Sequence, residues 1–374
     1  MEKDRTIWRC DLRLQYHKYK KDIDASVKRV FKSGRYTLAD EVYNFEKEFA
    51  GYVGCKYAVG VGNATDGLIL AMKVLGIGAG DEVITTPFTA IPTVSAIIAT
   101  GAKPVFTDID EKTFLIDTNK IPDFITPKTK AVIPVHIFGN VVDIQRLKTV
   151  IPSNIPIIED AAQSHGSRIN GIHSGSMGDI GVFSFYPTKN LGGYGDGGVV
   201  VTNNSNIAEK IRLMRMYGMI DKDNIVINGI NSRLDELQAA ILRVKLKCLD
   251  DMNELRNKIA DAYKNKLDNN YLSCQYIPDN VLCNYHVFAA KVERDRDALM
   301  NYLESRRIQT NIYYSIPLHL QEANRYLGYK TGDFPVAEQL CNQVIALPMY
   351  PELSEQKLSK IIKAINKFAK KRKI

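Results

Sequence analysis

A regular alternation of short apolar runs with segments of helical spacing, in the N-terminal half of the chain, constrains the fold more than any other feature. Residues 91–99 and 144–150 are examples of the helical segments between apolar runs. Alternation of this kind is typical of a mostly parallel sheet covered by helices on both faces, because parallel neighbours need a crossover between them. The seven runs that we interpret as strands are residues 56–61, 82–86, 103–107, 130–136, 155–160, 180–185 and 198–202.

The pattern changes in the C-terminal third. Residues 286–292 and 308–314 are predicted strands, and residues 294–306, 334–344 and 354–369 are predicted helices. A long apolar stripe from Leu237 to Leu255 predicts one helix that links the two parts. We therefore expect a large α/β domain over residues 1–245, which begins with a helical segment, and a smaller α+β domain over residues 246–374.

Composition excludes several classes of protein. The net charge is +8, but much of the excess lies in the C-terminal segment KAINKFAKKRKI, where lysines complement the end of a helix. We expect no nucleic-acid partner, since basic and aromatic residues do not interleave. No apolar run reaches the roughly 18 residues of a membrane span, and no signal peptide is recognised. Six scattered cysteines and six histidines without ligand spacing predict a cytoplasmic protein with no bound metal.

A single lysine, Lys189, stands between a predicted strand and a glycine-rich turn, in FSFYPTKNLGGYGDGG (residues 183–198). Glycines let the backbone approach a flat ligand closely, and partial burial lowers the pKa of an amine. Taken alone, the same stretch fits a solvated loop lysine better, because that is the common case on protein surfaces.

An acidic pair, Glu159 and Asp160, ends the predicted strand upstream of that lysine. Ligands bind at the carboxyl ends of the strands in open α/β sheets. A carboxylate there and a lysine at the end of a later strand suit pyridoxal phosphate: the amine of Lys189 makes the Schiff base, and Asp160 pairs with the pyridinium nitrogen.

Five segments of the chain together resemble the sugar aminotransferases of the DegT/DnrJ/EryC1/StrS family, which are nucleotide-sugar transaminases of the fold-type I pyridoxal phosphate class. The segments stand in the family's order over residues 11–353, and five of them are far more specific than any one. They are PVHIFGN, EDAAQSHG, FSFYPTKNLG, GDGG and GINSRLDELQAAIL.

The resemblance implies a set of cofactor contacts. The turn GNATDG (residues 62–67) follows a strand and opens a helix, an arrangement that binds anions, although capping by Asn63 or Thr65 alone also explains it. The family places the cofactor phosphate there and implies a homodimer with shared active sites, in which the N-S-R turn reaches the neighbouring subunit's phosphate site. The implied cofactor-binding residues are Ala64, Thr65, Asp160, Gln163 (ring hydroxyl), Ser184 (phosphate), Lys189, Asn231 and Arg233.

The resemblance also implies substrate contacts, but structural roles explain some of these residues equally well. Packing at the end of the strand accounts for Tyr186 equally well as substrate contact. His165 could be a buried histidine whose ring nitrogens hydrogen-bond to backbone groups. Many relatives stack an aromatic residue on the cofactor ring; here that position holds Ala90, with Phe88 two residues earlier, and the stacking residue stays open. The implied substrate-binding residues are Tyr186, His165, Tyr313, Tyr314 and His319, with Gln321 in the same segment.

The activity that the resemblance implies is transfer of an amino group from an amino acid, usually glutamate, to a nucleotide-linked keto sugar for amino-sugar biosynthesis. Lys189 would act as general base and acid. The motifs are most similar to the branch that aminates dTDP-3-keto-6-deoxyhexoses; the 4-keto branch more often has histidine where Tyr186 stands. The alternatives are a 4-keto sugar, a UDP-linked 3-keto sugar, or a non-catalytic cofactor-binding regulatory protein. Relatives that dehydrate their substrate carry histidine in place of Lys189.

Overall fold

The computed structural model describes residues 6–371. The first helix has capping residues at both ends: Asp11 caps its N-terminus through its carboxylate, and Gly34 ends it in the left-handed conformation. Short 3-10 turns lie at Ile121–Phe124, Ile137–Gly139, Leu318–Leu320 and Glu322–Leu327. The α-helices are α1 (Leu12–Ser33), α2 (Asp40–Val53), α3 (Ala64–Val74), α4 (Ile91–Ala99), α5 (Ile144–Val150), α6 (Ser205–Met214), α7 (Glu236–Leu246), α8 (Leu249–Lys266), α9 (Arg296–Glu304), α10 (Pro335–Gln343) and α11 (Glu355–Lys370).

Six of the seven predicted strands are shorter than their apolar runs, because those runs continue beyond the hydrogen-bonded ladder, and the strand at residues 198–202 has the predicted bounds. All seven predicted strands of the N-terminal part are present. The strands are β1 (Tyr57–Val61), β2 (Glu82–Thr85), β3 (Lys103–Phe106), β4 (Thr129–Val132), β5 (Ile158–Asp160), β6 (Arg168–Ile169), β7 (Ile172–His173), β8 (Ile180–Ser184), β9 (Gly198–Thr202), β10 (Leu272–Cys274), β11 (Val281–Leu282), β12 (Phe288–Val292) and β13 (Val344–Leu347).

The central sheet has seven strands in the order β1-β9-β8-β5-β4-β2-β3. It consists of a four-stranded part, β1-β9-β8-β5, and a three-stranded part, β3-β2-β4. Two isolated parallel bridges, Val132 to Ile157 and Val135 to Asp160, join the two parts between β4 and β5. Only β9 runs against its neighbours; the other six strands share one direction. The predicted α/β class with a mostly parallel seven-stranded sheet is confirmed.

Alternation along β8 divides its side chains between two helical layers. Phe183 and Phe185 pack edge-on against Phe49 and Phe45 of α2, at ring-centroid distances of 5.1 and 5.2 Å. On the other face, α3 lies so close that a Cβ on Gly67 would stand 2.8 Å from Val182. Ser184 therefore faces the same side as the first turn of α3, because side chains two apart on a strand point the same way.

The C-terminal part contains an antiparallel sheet in the order β10-β12-β13, with helices α9, α10 and α11 around it. The predicted long linking helix is interrupted at Lys247 and Cys248, which separate α7 from α8. The prediction of one continuous helix was therefore wrong, and the predicted division after residue 245 stays a prediction. One hydrophobic cluster contains residues of both parts, among them Ile84 and Ile345.

Elsewhere the predictions of local structure were wrong for residues 308–314 and for residue 344, and one small sheet was missed. Residues 308–314 do not form a strand: their backbone makes only isolated bridges at Ile308 and Asn311. Residue 344, assigned to a helix, begins β13, because the apolar run that follows it completes the antiparallel sheet. The small sheet of β11, β6 and β7 was missed, since its strands have only two residues each. Among residues 6–371, no helix has both the length and the apolar character needed to cross a membrane.

Candidate active site

A pocket of about 580 Å³ lies at the carboxyl ends of β5 and β8, against the first turns of α3 and α4. This is the edge of a parallel sheet where ligands are expected. Asp66, Thr93 and Asp196, which the sequence did not single out, also line it. The pocket brings together seven of the predicted site residues, namely Ala64, Thr65, Asp160, Gln163, Ser184, Tyr186 and Lys189.

Lys189 projects into the pocket from a tightly folded connection between β8 and β9. Its backbone N–H donates to the Tyr186 carbonyl over 2.9 Å, and the Gly193 N–H donates to the Phe185 carbonyl over 2.8 Å. Gly192 is required here, because a Cβ would stand 2.5 Å from the Pro187 carbonyl oxygen. Burial lowers the pKa of the Lys189 amine to about 8, and the negative charge of Asp160 opposes that shift. The amine is therefore partly neutral near physiological pH.

Asp160 is the buried carboxylate of the pocket. Its Oδ2 accepts a hydrogen bond from the Thr93 hydroxyl over 2.8 Å, and its Oδ1 accepts one from the Ala162 N–H over 3.2 Å. Burial raises the pKa of this carboxyl, while these two donors and the positive charge of Lys189 act in the opposite direction. A cationic group bound beside Asp160 would therefore be strongly favoured, since it would compensate a carboxylate withdrawn from water.

Glu159, the neighbouring acid, points to the opposite side of the strand and has a structural role. One carboxylate oxygen accepts hydrogen bonds from the N–H groups of Met177 and Gly178; the other binds the Gly175 N–H and lies 2.8 Å from Nε2 of His136. Because the Val142 N–H donates to Nδ1 of His136, the ring proton is on Nε2 and points at Glu159. Only the second residue of the acidic pair is available to a ligand.

The turn before α3 forms an anion site at the floor of the pocket. Asn63 caps α3, and its side-chain oxygen accepts from the Asp66 N–H over 2.9 Å. The first N–H groups of a helix, here those of Ala64 and Thr65, have no partner inside the helix and carry its positive dipole end. Ser184 lies at the same end of the pocket, because β8 packs against α3. A phosphate group fits this arrangement of donors.

Gln163 connects the pocket to the C-terminal part. Its Oε1 accepts from the Phe138 N–H over 2.9 Å, and its Nε2 donates to the Tyr314 hydroxyl over 3.2 Å. Tyr314 is thus placed directly behind a pocket residue, although it does not line the pocket itself. Phe88 packs edge-on against Tyr314 and Phe138 and is 1% exposed, whereas Ala90 lines the pocket.

Other predicted substrate residues lie outside the pocket lining. His165 is buried against the rings of Phe183 and Phe185, and burial lowers its pKa to about 3, so the ring is neutral at physiological pH. His319 is buried and lies 3.1 Å from a carboxylate oxygen of Glu338. Tyr313 lies beneath the guanidinium of Arg9, 5.3 Å from the ring centroid. The substrate roles of these residues stay predictions.

Asn231 and Arg233 also do not line the pocket of their own chain. Between them, Ser232 donates to Asp66 over 2.7 Å and accepts from the Gly62 N–H over 2.9 Å, which anchors the turn beside the anion site. Asn231 is exposed, and Arg233 is half-buried with its guanidinium 3.6 Å from the sulfur of Met216. Their contribution to a neighbouring subunit stays a prediction.

The donor set fits pyridoxal phosphate. The first turn of α3 and Ser184 can hold the phosphate, Asp160 can pair with a protonated ring nitrogen, and the Lys189 amine can react with the aldehyde. Across residues 6–371 no group of three or more histidine, cysteine, aspartate or glutamate side chains could hold a metal ion. The fold and the pocket together define a fold-type I pyridoxal phosphate enzyme.

The chain belongs to the DegT/DnrJ/EryC1/StrS aminotransferase family, whose model matches residues 17–366. It is 42% identical over 361 residues to the pleiotropic regulatory protein of Geobacillus stearothermophilus. That alignment covers 96% of this chain and 97% of the relative. It is 41% identical over 359 residues to dTDP-3-amino-3,6-dideoxy-alpha-D-galactopyranose transaminase of Aneurinibacillus thermoaerophilus, with 96% and 98% covered.

Solved structures agree with the fold and the cofactor. The structure of DesV from S. venezuelae, in complex with a ketimine intermediate, superposes with a TM-score of 0.94 at 38% identity and covers 97% of this chain and 98% of DesV. NtdA from Bacillus subtilis, solved with bound cofactor PMP, has a TM-score of 0.87 at 30% identity, with 94% and 82% covered. The predicted family, fold, aminotransferase class and pyridoxal phosphate cofactor are confirmed.

Proposed function

We propose that this aminotransferase moves an amino group from an amino acid, L-glutamate by family resemblance, to the keto group of a nucleotide-linked sugar, and that the sugar is a dTDP-3-keto-6-deoxyhexose. The observation that carries the proposal is the convergence of Lys189 and Asp160 on one pocket beside the anion site. The names of the Aneurinibacillus relative and the similarity to DesV support the sugar class.

The residues of the pocket would have different roles in the reaction. Pyridoxal phosphate, when bound, would supply an electron sink to the reacting carbon. Asp160 would supply the negative charge that pairs with a protonated ring nitrogen, and Thr93 orients its carboxylate. Lys189 would accept the proton from the donor's α-carbon and return it, a task that suits an amine with a pKa of about 8. We assign the open stacking position to Ala90, because Phe88 is packed away from the pocket.

The alternatives differ in the sugar and in whether catalysis occurs. A 4-keto sugar or a UDP-linked 3-keto sugar would use the same pocket chemistry. A regulatory role is named for the Geobacillus relative. An amine of lowered pKa beside a buried carboxylate favours catalysis here, because a protein that only binds a cofactor does not need an amine poised for proton transfer.

A homodimer with shared active sites is part of the proposal. Tyr217, Ile220, Ile225 and Val226 are between 43% and 65% exposed, and they lie on one loop that is bridged to the N-S-R turn through Met216 and Asn231. Exposed apolar residues clustered in this way mark protein interfaces. Burial of this loop against a second copy would carry Asn231 and Arg233 toward that copy's pocket. We also place the enzyme in the cytoplasm, since all six cysteines are free.

Product analysis tests the proposed substrate. The enzyme with pyridoxal phosphate and glutamate is incubated separately with a dTDP-3-keto-6-deoxyhexose, its 4-keto isomer and a UDP-linked 3-keto sugar. The expected product is the dTDP-3-amino sugar, identified by mass and by NMR of the carbon that carries nitrogen. Amination of only the 4-keto or only the UDP-linked sugar would overturn the substrate assignment, and amination of none would favour the regulatory alternative.

A further inference from the structure

The helix that follows the N-S-R turn carries a fully buried lysine, Lys245, near its C-terminal end. A lysine without exposed surface is rare, and an apolar side chain would be easier to bury. Within residues 6–371 no carboxylate lies within 4.0 Å of its Nζ, so an ion pair does not explain the burial. What the side chain provides at this position is a hydrogen-bond donor.

That donor is used on the connection that carries Lys189. Nζ of Lys245 donates to the backbone carbonyl of Gly192 and lies 5.3 Å from the ring centroid of Tyr194. Burial lowers the pKa of Lys245 to about 7, and the hydrogen bond is available to both the charged and the neutral amine. Only two residues, Asn190 and Leu191, therefore separate Lys189 from a carbonyl that is held by a different element of the fold.

A second residue of α7 holds the same connection. The Tyr194 N–H donates to Oε1 of Gln238 over 2.7 Å. Gln238 precedes Lys245 by seven residues, so the two side chains lie two turns apart on one face of the helix. One accepts from the connection and the other donates to it, which fixes both ends of the segment 192–194. Gly193 packs closely here, since a Cβ would stand 2.6 Å from Gln238 Oε1.

We propose that Lys245 is a positioning residue for Lys189: by holding the Gly192 carbonyl it fixes the turn from which the reactive amine projects. Gln238 is the second anchor, through the Tyr194 N–H. Both act from α7, which begins directly after the N-S-R turn, so the same helix relates the reactive amine to the proposed subunit interface. The inference rests on the proposed role of Lys189.

The test measures how fast the Lys189 amine attaches pyridoxal phosphate. Apoenzyme is mixed with increasing pyridoxal phosphate, and the visible absorbance of the attached cofactor is followed, which needs neither donor nor sugar. Lys245→Met keeps an unbranched side chain, one atom shorter than lysine, and removes its donor. A small misplacement of a reacting group slows its reaction strongly, so we expect the attachment rate at saturating cofactor to fall about tenfold or more. The cofactor concentration that gives half of this rate should stay within about twofold of the wild-type value.

The matched control is Lys247→Met, which removes an exposed lysine two residues away and should leave both quantities unchanged. A lower melting temperature of Lys245→Met with a wild-type attachment rate would show a purely structural role and overturn the proposal. If Lys245→Met does not fold, Gln238→Met decides: a slower attachment rate supports the proposal, and a wild-type rate overturns it. Lys189→Ala is measured alongside, since attachment in that variant would reject the role of Lys189 itself.

Discussion

The hydroxyl of Thr93 donates a hydrogen bond to Oδ2 of Asp160 over 2.8 Å, and both residues are buried. Thr93 belongs to the first turn of α4, and Asp160 ends β5, so the contact joins two elements at the floor of the pocket. Thr89 lies 3.1 Å from the Thr93 hydroxyl and donates to it when Thr93 donates to Asp160. This chain of hydroxyls stabilises the ionised carboxylate that a cationic ring requires.

Replacement of Thr93 by valine should weaken cofactor binding. The variant keeps the shape of the side chain but removes a hydrogen bond to a charged acceptor, so the pKa of Asp160 rises further and its carboxylate is less available. We expect an affinity for pyridoxal phosphate about tenfold lower or more, measured by titration of visible absorbance. Thr149→Val, an exposed change of the same kind on α5, is the control; equal affinities in both variants would contradict the role of Thr93.

The lowered pKa of Lys189 predicts how attachment of the cofactor depends on pH. The amine reacts when neutral, and burial places its pKa at about 8, below the usual value for lysine. The attachment rate of apoenzyme should therefore rise as the pH increases through 8 and level off above it. Stopped-flow measurements between pH 6 and pH 10 would show this midpoint. A rate that is still rising steeply at pH 10 would mean that burial does not lower the pKa.

Replacement of Asp160 by asparagine should remove most of the turnover. The change leaves a neutral amide where a charge must stabilise the protonated ring, and loss of one partner of a buried charged pair is costly. We expect the transamination rate at saturating cofactor to fall by at least about 100-fold. Circular dichroism of the purified variant checks that the fold is retained. A folded, cofactor-loaded variant with near-normal turnover would exclude the proposed role of Asp160.

Hybrid dimers test whether the active site is shared between subunits. Lys189→Ala and Arg233→Ala should each be inactive or strongly impaired alone. If Arg233 acts in the neighbouring site, a dimer of one chain of each variant has one site with both changes and one intact site. Mixing the two variants under conditions of subunit exchange should then restore activity, to about a quarter of the wild type for random pairing. Failure of exchanged dimers to recover any activity would place Arg233 in its own chain's site.

The sequence allowed prediction of those parts of the site that lie at the ends of strands. An apolar run precedes each of three parts of the site: Lys189, Asp160 and the turn before α3. Parallel strands bring the carboxyl ends of such runs together at one edge of the sheet. Thr93 and Lys245 could not be found in this way, because each contacts the site from a different helix, and helical spacing shows only which face is apolar. In the same way, residues 308–314 have a strand-like composition, yet only tertiary pairing decides whether a ladder forms.

The most direct test of the central claim is the visible spectrum of the protein with pyridoxal phosphate, before and after addition of glutamate, in the wild type and in Lys189→Ala. The account predicts a band from cofactor attached to Lys189 in the wild type, its conversion by glutamate to the pyridoxamine form, and its return when a keto sugar substrate is added. Lys189→Ala should show neither the attached band nor the cycle. A wild-type protein without the band, or a Lys189→Ala protein that completes the cycle, would contradict the assignment of this pocket as the active site.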